Sequence, residues 1–104
     1  MYVRLWEFEV RPDAVDAFVA LYGPNGGWVE LFSRCEGYLG TELLRDGARP
    51  ARFVTVDRWR DARAYDAVDT GSAAWRALDA EGEALTERET FLGAFEDEAA
   101  DDAG

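Results

Sequence analysis

The sequence predicts an α+β domain in which four strands alternate with two broken helical segments. Three observations lead to this prediction. The chain has 104 residues, which is the length of one domain. Hydrophobic residues make up 48% of it, so it has enough apolar surface to fold. Stretches that alternate in polarity with a period of two are separated by stretches with helical spacing of apolar residues.

The first half of the chain predicts one strand followed by two short helices. Residues 2–10 alternate in polarity and are rich in aromatic side chains, as half-buried strands are. Pro12 fits the first turn of a helix, and Gly23 ends that helix. Asn25 is expected to cap a second short helix, which ends at Gly37.

The second half predicts a hairpin, two more helices and a last strand. Residues 38–45 and 51–59 are two strands around a turn that is rich in Asp, Gly and Pro. Asp61 and Ser72 are expected to cap the two helices, and residues 87–95 form the last strand. The order is β-α-β-β-α-β, the split, ferredoxin-like plan with a four-stranded antiparallel sheet.

The composition excludes several kinds of chemistry. The chain contains no His and no Lys, and all 11 basic residues are Arg. Without His there is no Ser-His or Cys-His nucleophile and no histidine-ligated zinc or haem. Without Lys there is no Schiff base and no P-loop. The single cysteine, Cys35, allows neither an intrachain disulfide nor a multi-cysteine metal cluster.

The charge argues against nucleic acid and anionic membranes as partners. The formal net charge is −11, and residues 96–104 contain five acids and no base. Both of those partners need basic patches. We expect residues 1–96 to fold and residues 97–104 to be a disordered acidic tail. No apolar run approaches the ~20 residues of a membrane span and the N-terminus does not resemble a signal peptide, so we expect a cytoplasmic protein.

The sheet is predicted to need cover on its second face. In the third strand, Val54 and Val56 point to one side, while Phe53, Thr55 and Trp59 point to the other. Helices cover only one face of a sheet with this plan. A second copy of the chain is the simplest cover for the other face, so we expect a homodimer.

Four segments of the sequence resemble a known family. They are Trp28-x-x-Leu31-Phe32, Glu36-Gly37-Tyr38-x-Gly40-Thr41-x-Leu43-Leu44, Phe53-Val54-Thr55-Val56-Asp57-Arg58-Trp59-Arg60-Asp61 and Leu92-Gly93-x-Phe95-Glu96. Together they resemble the antibiotic biosynthesis monooxygenase family of dimeric α+β barrels, over residues 2–96.

The resemblance implies oxidation without a cofactor. Quinone-forming members oxidise polycyclic phenols or anthrones with O₂, using neither metal nor flavin, because the deprotonated substrate supplies the electrons. The protein supplies a dry pocket between sheet and helices, with polar groups that stabilise the anion. A haem-degrading branch uses an axial His, which this chain lacks.

The resemblance also points to site residues. The family has an Asn four residues before the strand-ending Trp; here the Trp is Trp59 and that position is Thr55. A Tyr six residues after the Trp corresponds to Tyr65. Arg76 is the candidate for the family's cavity Arg by its place in the second helical segment. The residues expected to act in catalysis are Thr55, Trp59 and Tyr65, and those expected to bind substrate are Trp6, Tyr22, Trp28 and Arg76.

Each of these residues also has a plain structural interpretation. Trp59 at a strand end is more often core than catalytic, and Thr55 is an ordinary strand residue. Asp57 shares the strand face of Thr55 and Trp59. If that face is buried, Asp57 is a base with a raised pKa or a partner for an Arg; if it lies at a bulge near the strand end, it is solvated, which the sequence favours. The alternative function is a non-catalytic dimeric barrel that binds a small apolar molecule or has a structural or regulatory role.

Overall fold

The computed structural model describes residues 1–98 and contains four strands and four α-helices in that range. The strands are β1 (Tyr2–Val10), β2 (Tyr38–Arg45), β3 (Arg52–Trp59) and β4 (Thr86–Glu96). The helices are α1 (Val15–Tyr22), α2 (Gly27–Ser33), α3 (Ala62–Asp66) and α4 (Ala73–Leu85), and a 3₁₀ turn (Pro12–Ala14) precedes α1. In the described part, no helix has both the length and the apolar character of a membrane span.

The sheet has the order β2-β3-β1-β4, and every pair of neighbouring strands is antiparallel. This confirms the ferredoxin-like fold predicted from the element order. The central strands β1 and β3 pair along their whole length, with Arg4 opposite Asp57 and Trp6 opposite Thr55. Side chains that share one face of these two strands therefore form a continuous surface beneath the helices.

The helix caps agree with the sequence at two of three positions. Asp61 Oδ1 accepts the backbone N–H of Ala64 at 2.8 Å, and Ser72 Oγ accepts that of Trp75 at 3.1 Å. The prediction that Asn25 caps α2 is wrong, because Gly26 is the N-cap and no side chain bonds there. A Cβ at Gly26 would lie 2.1 Å from a backbone oxygen, so the chain turns too tightly there for any other residue.

The core lies between the helices and one face of the sheet, and most of it is aromatic. Phe18 of α1 is fully buried and packs against Phe8, Phe53 and Tyr22, with ring centroids 4.3–5.2 Å apart. Trp59 at the end of β3 is also fully buried. Offset and tilted aromatic contacts of this kind stabilise a small core beyond the area that they bury.

The opposite face of the sheet mixes apolar side chains with ion pairs. Arg52 pairs with Glu7 across β3 and β1, and Arg58 pairs with Glu42 across β3 and β2. At the edges, large apolar side chains stay about half exposed, with Leu44 at 49% and Phe95 at 54%.

The C-terminal end of the described part is held to the N-terminus. The backbone N–H of Asp97 bonds to the Met1 carbonyl, and its carboxylate lies 3.2 Å from the Met1 ammonium group. The predicted acidic tail of residues 97–104 therefore begins with a residue that contacts the domain. Residues 99–104 lie outside the described residues.

Candidate functional site

A cavity of about 100 Å³ lies between the sheet and the helices. Its walls come from all four strands and all four helices. The lining residues are Arg4, Trp6, Phe8, Tyr22, Trp28, Phe32, Thr41, Thr55, Asp57, Tyr65, Trp75, Asp79 and Glu89.

The floor of the cavity is built by strand alternation. Arg4 and Trp6 of β1 point to the helix side of the sheet, because residues two apart share a face. Thr55 and Asp57 of β3 lie opposite Trp6 and Arg4 and point the same way. The floor therefore places an indole, a hydroxyl, a guanidinium and a carboxylate side by side.

The helices supply an aromatic roof. Trp28 of α2 and Trp75 of α4 meet edge to face, with ring centroids 4.9 Å apart. Tyr22 of α1 packs so closely on Gly82 of α4 that a Cβ there would lie 2.2 Å from the Tyr22 hydroxyl. Burial raises the pKa of Tyr22, so this phenol stays neutral. The roof therefore offers flat, uncharged surfaces on which an aromatic ligand can stack.

The arginine of the cavity is Arg4. Its guanidinium carbon lies 4.1 Å from the ring centroid of Tyr65 and 4.5 Å from that of Phe91, within cation–π distance of both. Its Nη1 donates to the Tyr2 hydroxyl at 3.0 Å. These contacts hold a positive charge at the edge of the cavity.

Arg76, by contrast, does not line the cavity. It is exposed on α4, whereas Trp75 and Asp79 of the same helix border the cavity. Residues at i and i+4 share a helix face, so the position after Trp75 is turned toward solvent. The sequence did contain a signal for Arg4, since that residue alternates with Tyr2 and Trp6 on an aromatic strand face.

Asp57 is the carboxylate of the floor. The Thr41 hydroxyl donates to its Oδ1 at 2.7 Å, and the Tyr38 hydroxyl lies 2.5 Å from Thr41 Oγ1. Burial raises the pKa of Asp57, and the Thr41 hydrogen bond and the Arg4 charge offset part of that rise.

The favoured interpretation of Asp57 as a solvated residue at a bulge is therefore wrong. A bulge is present, but it lies in β2, between Tyr38 and Gly40, rather than in β3. Because β3 stays regular, the side chain of Asp57 remains on the helix side of the sheet. The buried alternative is the one that the structure supports.

The three residues expected to act in catalysis differ in position. Thr55 is 4% exposed and lines the cavity. Tyr65 also lines the cavity, and burial raises the pKa of its hydroxyl, partly offset by Arg4. Trp59 lies behind the lining, packed edge to face on Phe32 and Tyr65, with ring centroids 5.2 and 5.5 Å away.

The buried indole N–H groups of Trp28 and Trp59 have no hydrogen-bond partner among the described residues. That of Trp28 lies near enough to the Tyr22 hydroxyl to lower the pKa of Tyr22 slightly, yet no bond of ordinary geometry joins them. Trp28 lines the cavity, so its N–H is a donor that a ligand oxygen there can satisfy.

The other end of the cavity is acidic. Glu89 of β4 and Asp79 of α4 both line it, and burial raises the pKa of Glu89, with a further rise from Asp79. Thr86 Oγ1 lies 3.3 Å from Glu89 Oε2. Within residues 1–98, no group of three or more His, Cys, Asp or Glu side chains is arranged to hold a metal ion.

Sequence reasoning thus named five of the residues that line the cavity and missed others. Those it named are Trp6, Tyr22, Trp28, Thr55 and Tyr65. The most important omissions are Arg4 and Thr41, and Asp57 was identified only as one of two alternatives. Arg4 is a charged residue on a strand face that is otherwise aromatic and apolar, and that pattern was the available signal.

Comparisons with known proteins agree with this architecture. SnoaB from Streptomyces nogalater, a cofactor-independent oxygenase, is similar over 92% of this chain and 91% of its own, with a TM-score of 0.78 and 19% identity. A conserved protein from Methanosarcina mazei is similar over 94% of both chains, with a TM-score of 0.71 and 14% identity. At these identities the likeness establishes the fold. No curated protein matches the chain.

The family itself is established by sequence. The model of the family described as antibiotic biosynthesis monooxygenase matches residues 1–80, which span β1 to most of α4. This range includes every lining residue of the cavity except Glu89. The chain therefore belongs to the antibiotic biosynthesis monooxygenase family.

Proposed function

We propose that this protein is a cofactor-independent monooxygenase that oxidises a polycyclic phenol or anthrone-type substrate with O₂ to a quinone. One observation carries the proposal: the hydroxyls of Thr55 and Tyr65 and the guanidinium of Arg4 border one aromatic-walled cavity. Membership of the family supports the reaction type. The two hydroxyls and the guanidinium at the cavity support a substrate that becomes an anion.

The reaction needs little from the protein beyond this arrangement. An anthrone and O₂ give a quinone and water, and the electrons come from the substrate once it has lost a proton. Thr55 and Tyr65 donate hydrogen bonds to substrate oxygens, and Arg4 stabilises the enolate charge in surroundings of low polarity. Trp6 and Trp28 stack on the ring system. Trp59 contributes by packing, since it supports the ring of Tyr65 from behind.

The proposal includes a homodimer formed through the sheets. Val3 and Leu5 of β1 share the face opposite the helices with Val54 and Val56 of β3. The half-exposed side chain of Phe95 extends this apolar surface at the sheet edge. A second copy covers these side chains and leaves the cavity of each protomer on its own helix side.

Oxygen uptake with 9-anthrone in metal-free buffer tests the function. We expect uptake with formation of anthraquinone, a several-fold lower turnover in Tyr65→Phe, and unchanged turnover in Asp16→Asn, a control on the exposed side of α1. Thr55→Asn restores the family's amide at this position, and we expect it to raise the rate. If anthrones and polycyclic phenols neither bind to nor react with the wild type or Thr55→Asn, the enzymatic function is refuted and a non-catalytic barrel remains.

A further inference from the structure

The cavity contains one carboxylate that the proposed reaction has not yet used. We propose that Asp57 is the general base that removes the proton of the substrate, and that Thr41 and Tyr38 are positioning residues that hold its carboxylate for this step. The inference rests on the proposed function, because it assigns the deprotonation step on which that reaction depends.

The hydrogen bonds at Asp57 have a defined direction. Thr41 has a single hydroxyl proton, and it donates this proton to Asp57 Oδ1 at 2.7 Å. The Tyr38 hydroxyl, 2.5 Å from Thr41 Oγ1, must therefore be the donor in the second bond. The chain runs from Tyr38 through Thr41 to Asp57, so each bond strengthens the next and stabilises the carboxylate.

The second carboxylate oxygen remains available. Oδ2 of Asp57 accepts no hydrogen bond from residues 1–98, and Asp57 lines the cavity. A substrate that stacks on the aromatic walls can therefore present a proton to Oδ2 while Oδ1 stays anchored by Thr41. A general base must first lie within hydrogen-bond distance of the proton that it removes, and its pKa matters only once that distance is met.

Burial raises the pKa of Asp57, and the positive charge of Arg4 offsets only part of that rise. Arg4, on β1, lies opposite Asp57 in the register, but no ion pair joins them within the described residues. The rings of Tyr65 and Phe91 and the Tyr2 hydroxyl hold the guanidinium instead. The charge of Arg4 is thus near enough to favour an anion in the cavity without neutralising the base.

The other titratable groups around Asp57 are phenols. Tyr38 of β2 and Tyr65 of α3 face it, and Tyr22 of α1 lies across the cavity. Burial raises the pKa of each of these phenols, so they remain neutral while Asp57 titrates. Asp57 is therefore the carboxylate that can accept a substrate proton in this part of the cavity.

The step balances without an oxidant. A C–H bond at the reactive carbon of an anthrone, or the O–H bond of a phenol, breaks and its proton forms a bond to Asp57 Oδ2. The electron pair stays on the substrate as an enolate or phenolate. When O₂ has reacted with the enolate, Asp57 returns this proton to the oxygen adduct, and the proton leaves in the water that forms together with the quinone.

Proton abstraction can be measured in the absence of O₂. The probe is 9-anthrone in D₂O under argon, and mass spectrometry follows exchange at its reactive carbon. We expect the wild-type protein to accelerate exchange and Asp57→Asn to lower that rate at least ~100-fold, the usual contribution of a general base. The control Asp16→Asn should match the wild type. A rate in Asp57→Asn within a few-fold of the wild type, or no acceleration by the wild type, overturns the assignment.

A second measurement tests the positioning role of Thr41 and Tyr38 without any substrate. Carbon-detected NMR of the Asp57 carboxyl should give a higher pKa in Thr41→Val than in the wild type, because the variant loses the bond that stabilises the anion. Tyr38→Phe should raise that pKa less. If neither variant moves the titration, Thr41 and Tyr38 do not hold the carboxylate.

The outcomes also separate this inference from the proposed function. Exchange without oxygen uptake supports the base and refutes the oxygenase. Oxygen uptake that is unchanged in Asp57→Asn supports the oxygenase and refutes the base.

Discussion

The contact between Tyr22 and Gly82 determines how closely α4 packs against α1 above the cavity. A methyl group at position 82 would lie 2.2 Å from the Tyr22 hydroxyl, whereas ordinary contact begins near 3.4 Å, so the hydroxyl must move by more than 1 Å. Overpacking of this kind costs about 1–3 kcal/mol. Alanine in place of glycine inside a helix stabilises by about 1 kcal/mol. We therefore expect Gly82→Ala to lower the free energy of unfolding by about 0–2 kcal/mol.

The double variant isolates that contact. Tyr22→Phe removes the atom at 2.2 Å and leaves ring carbons at 3.2 and 3.5 Å, so Gly82→Ala should be neutral or stabilising in that background. Urea denaturation of the four proteins measures the coupling, which we expect to be about 1–3 kcal/mol. If Gly82→Ala changes stability equally in both backgrounds, the packing argument is wrong.

Three further predictions concern the core, the floor of the cavity and the sheet. Trp59→Ala should lower the free energy of unfolding by about 3–5 kcal/mol in thermal or chemical denaturation, because it deletes a fully buried aromatic; a small loss would show that the residue is not core. Burial raises the pKa of Asp57, so the folded protein binds this proton more tightly than the unfolded chain does, and stability should fall as pH rises from the ordinary carboxyl pKa to the raised one. Asp57→Asn should remove that decline and be more stable than the wild type at neutral pH, as pH-dependent thermal melts can check. Light scattering should give about twice the chain mass of 11.6 kDa, consistent with an interface of roughly 2,000 Å² or more; a stable monomer at micromolar concentration would rule out the dimer.

The sequence by itself determined the order of the elements and the bounds of the strands to within one residue. The helix predicted to end at Gly37 ends earlier, at Ser33. The second strand was predicted at residues 38–45 and is Tyr38–Arg45 in the structure. The caps at Asp61 and Ser72 were also recognised. These features depend on residues within a few positions of one another, through polarity with a period of two or through one side chain bonding to a nearby backbone N–H. Asn25 failed as a cap because the tight turn at Gly26 depends on the carbonyls of the preceding helix.

Only the tertiary structure decided which polar residues share the cavity. Arg4, Thr41 and Asp57 come from three strands, and their meeting depends on strand pairing over long sequence distances. Strand alternation places a side chain on a face, but how deeply it is buried depends on the helices above. For the same reason Arg76 was a plausible cavity residue by position along the chain, yet the rotation of α4 about its axis, set by packing of Trp75 on Trp28, turns it to solvent.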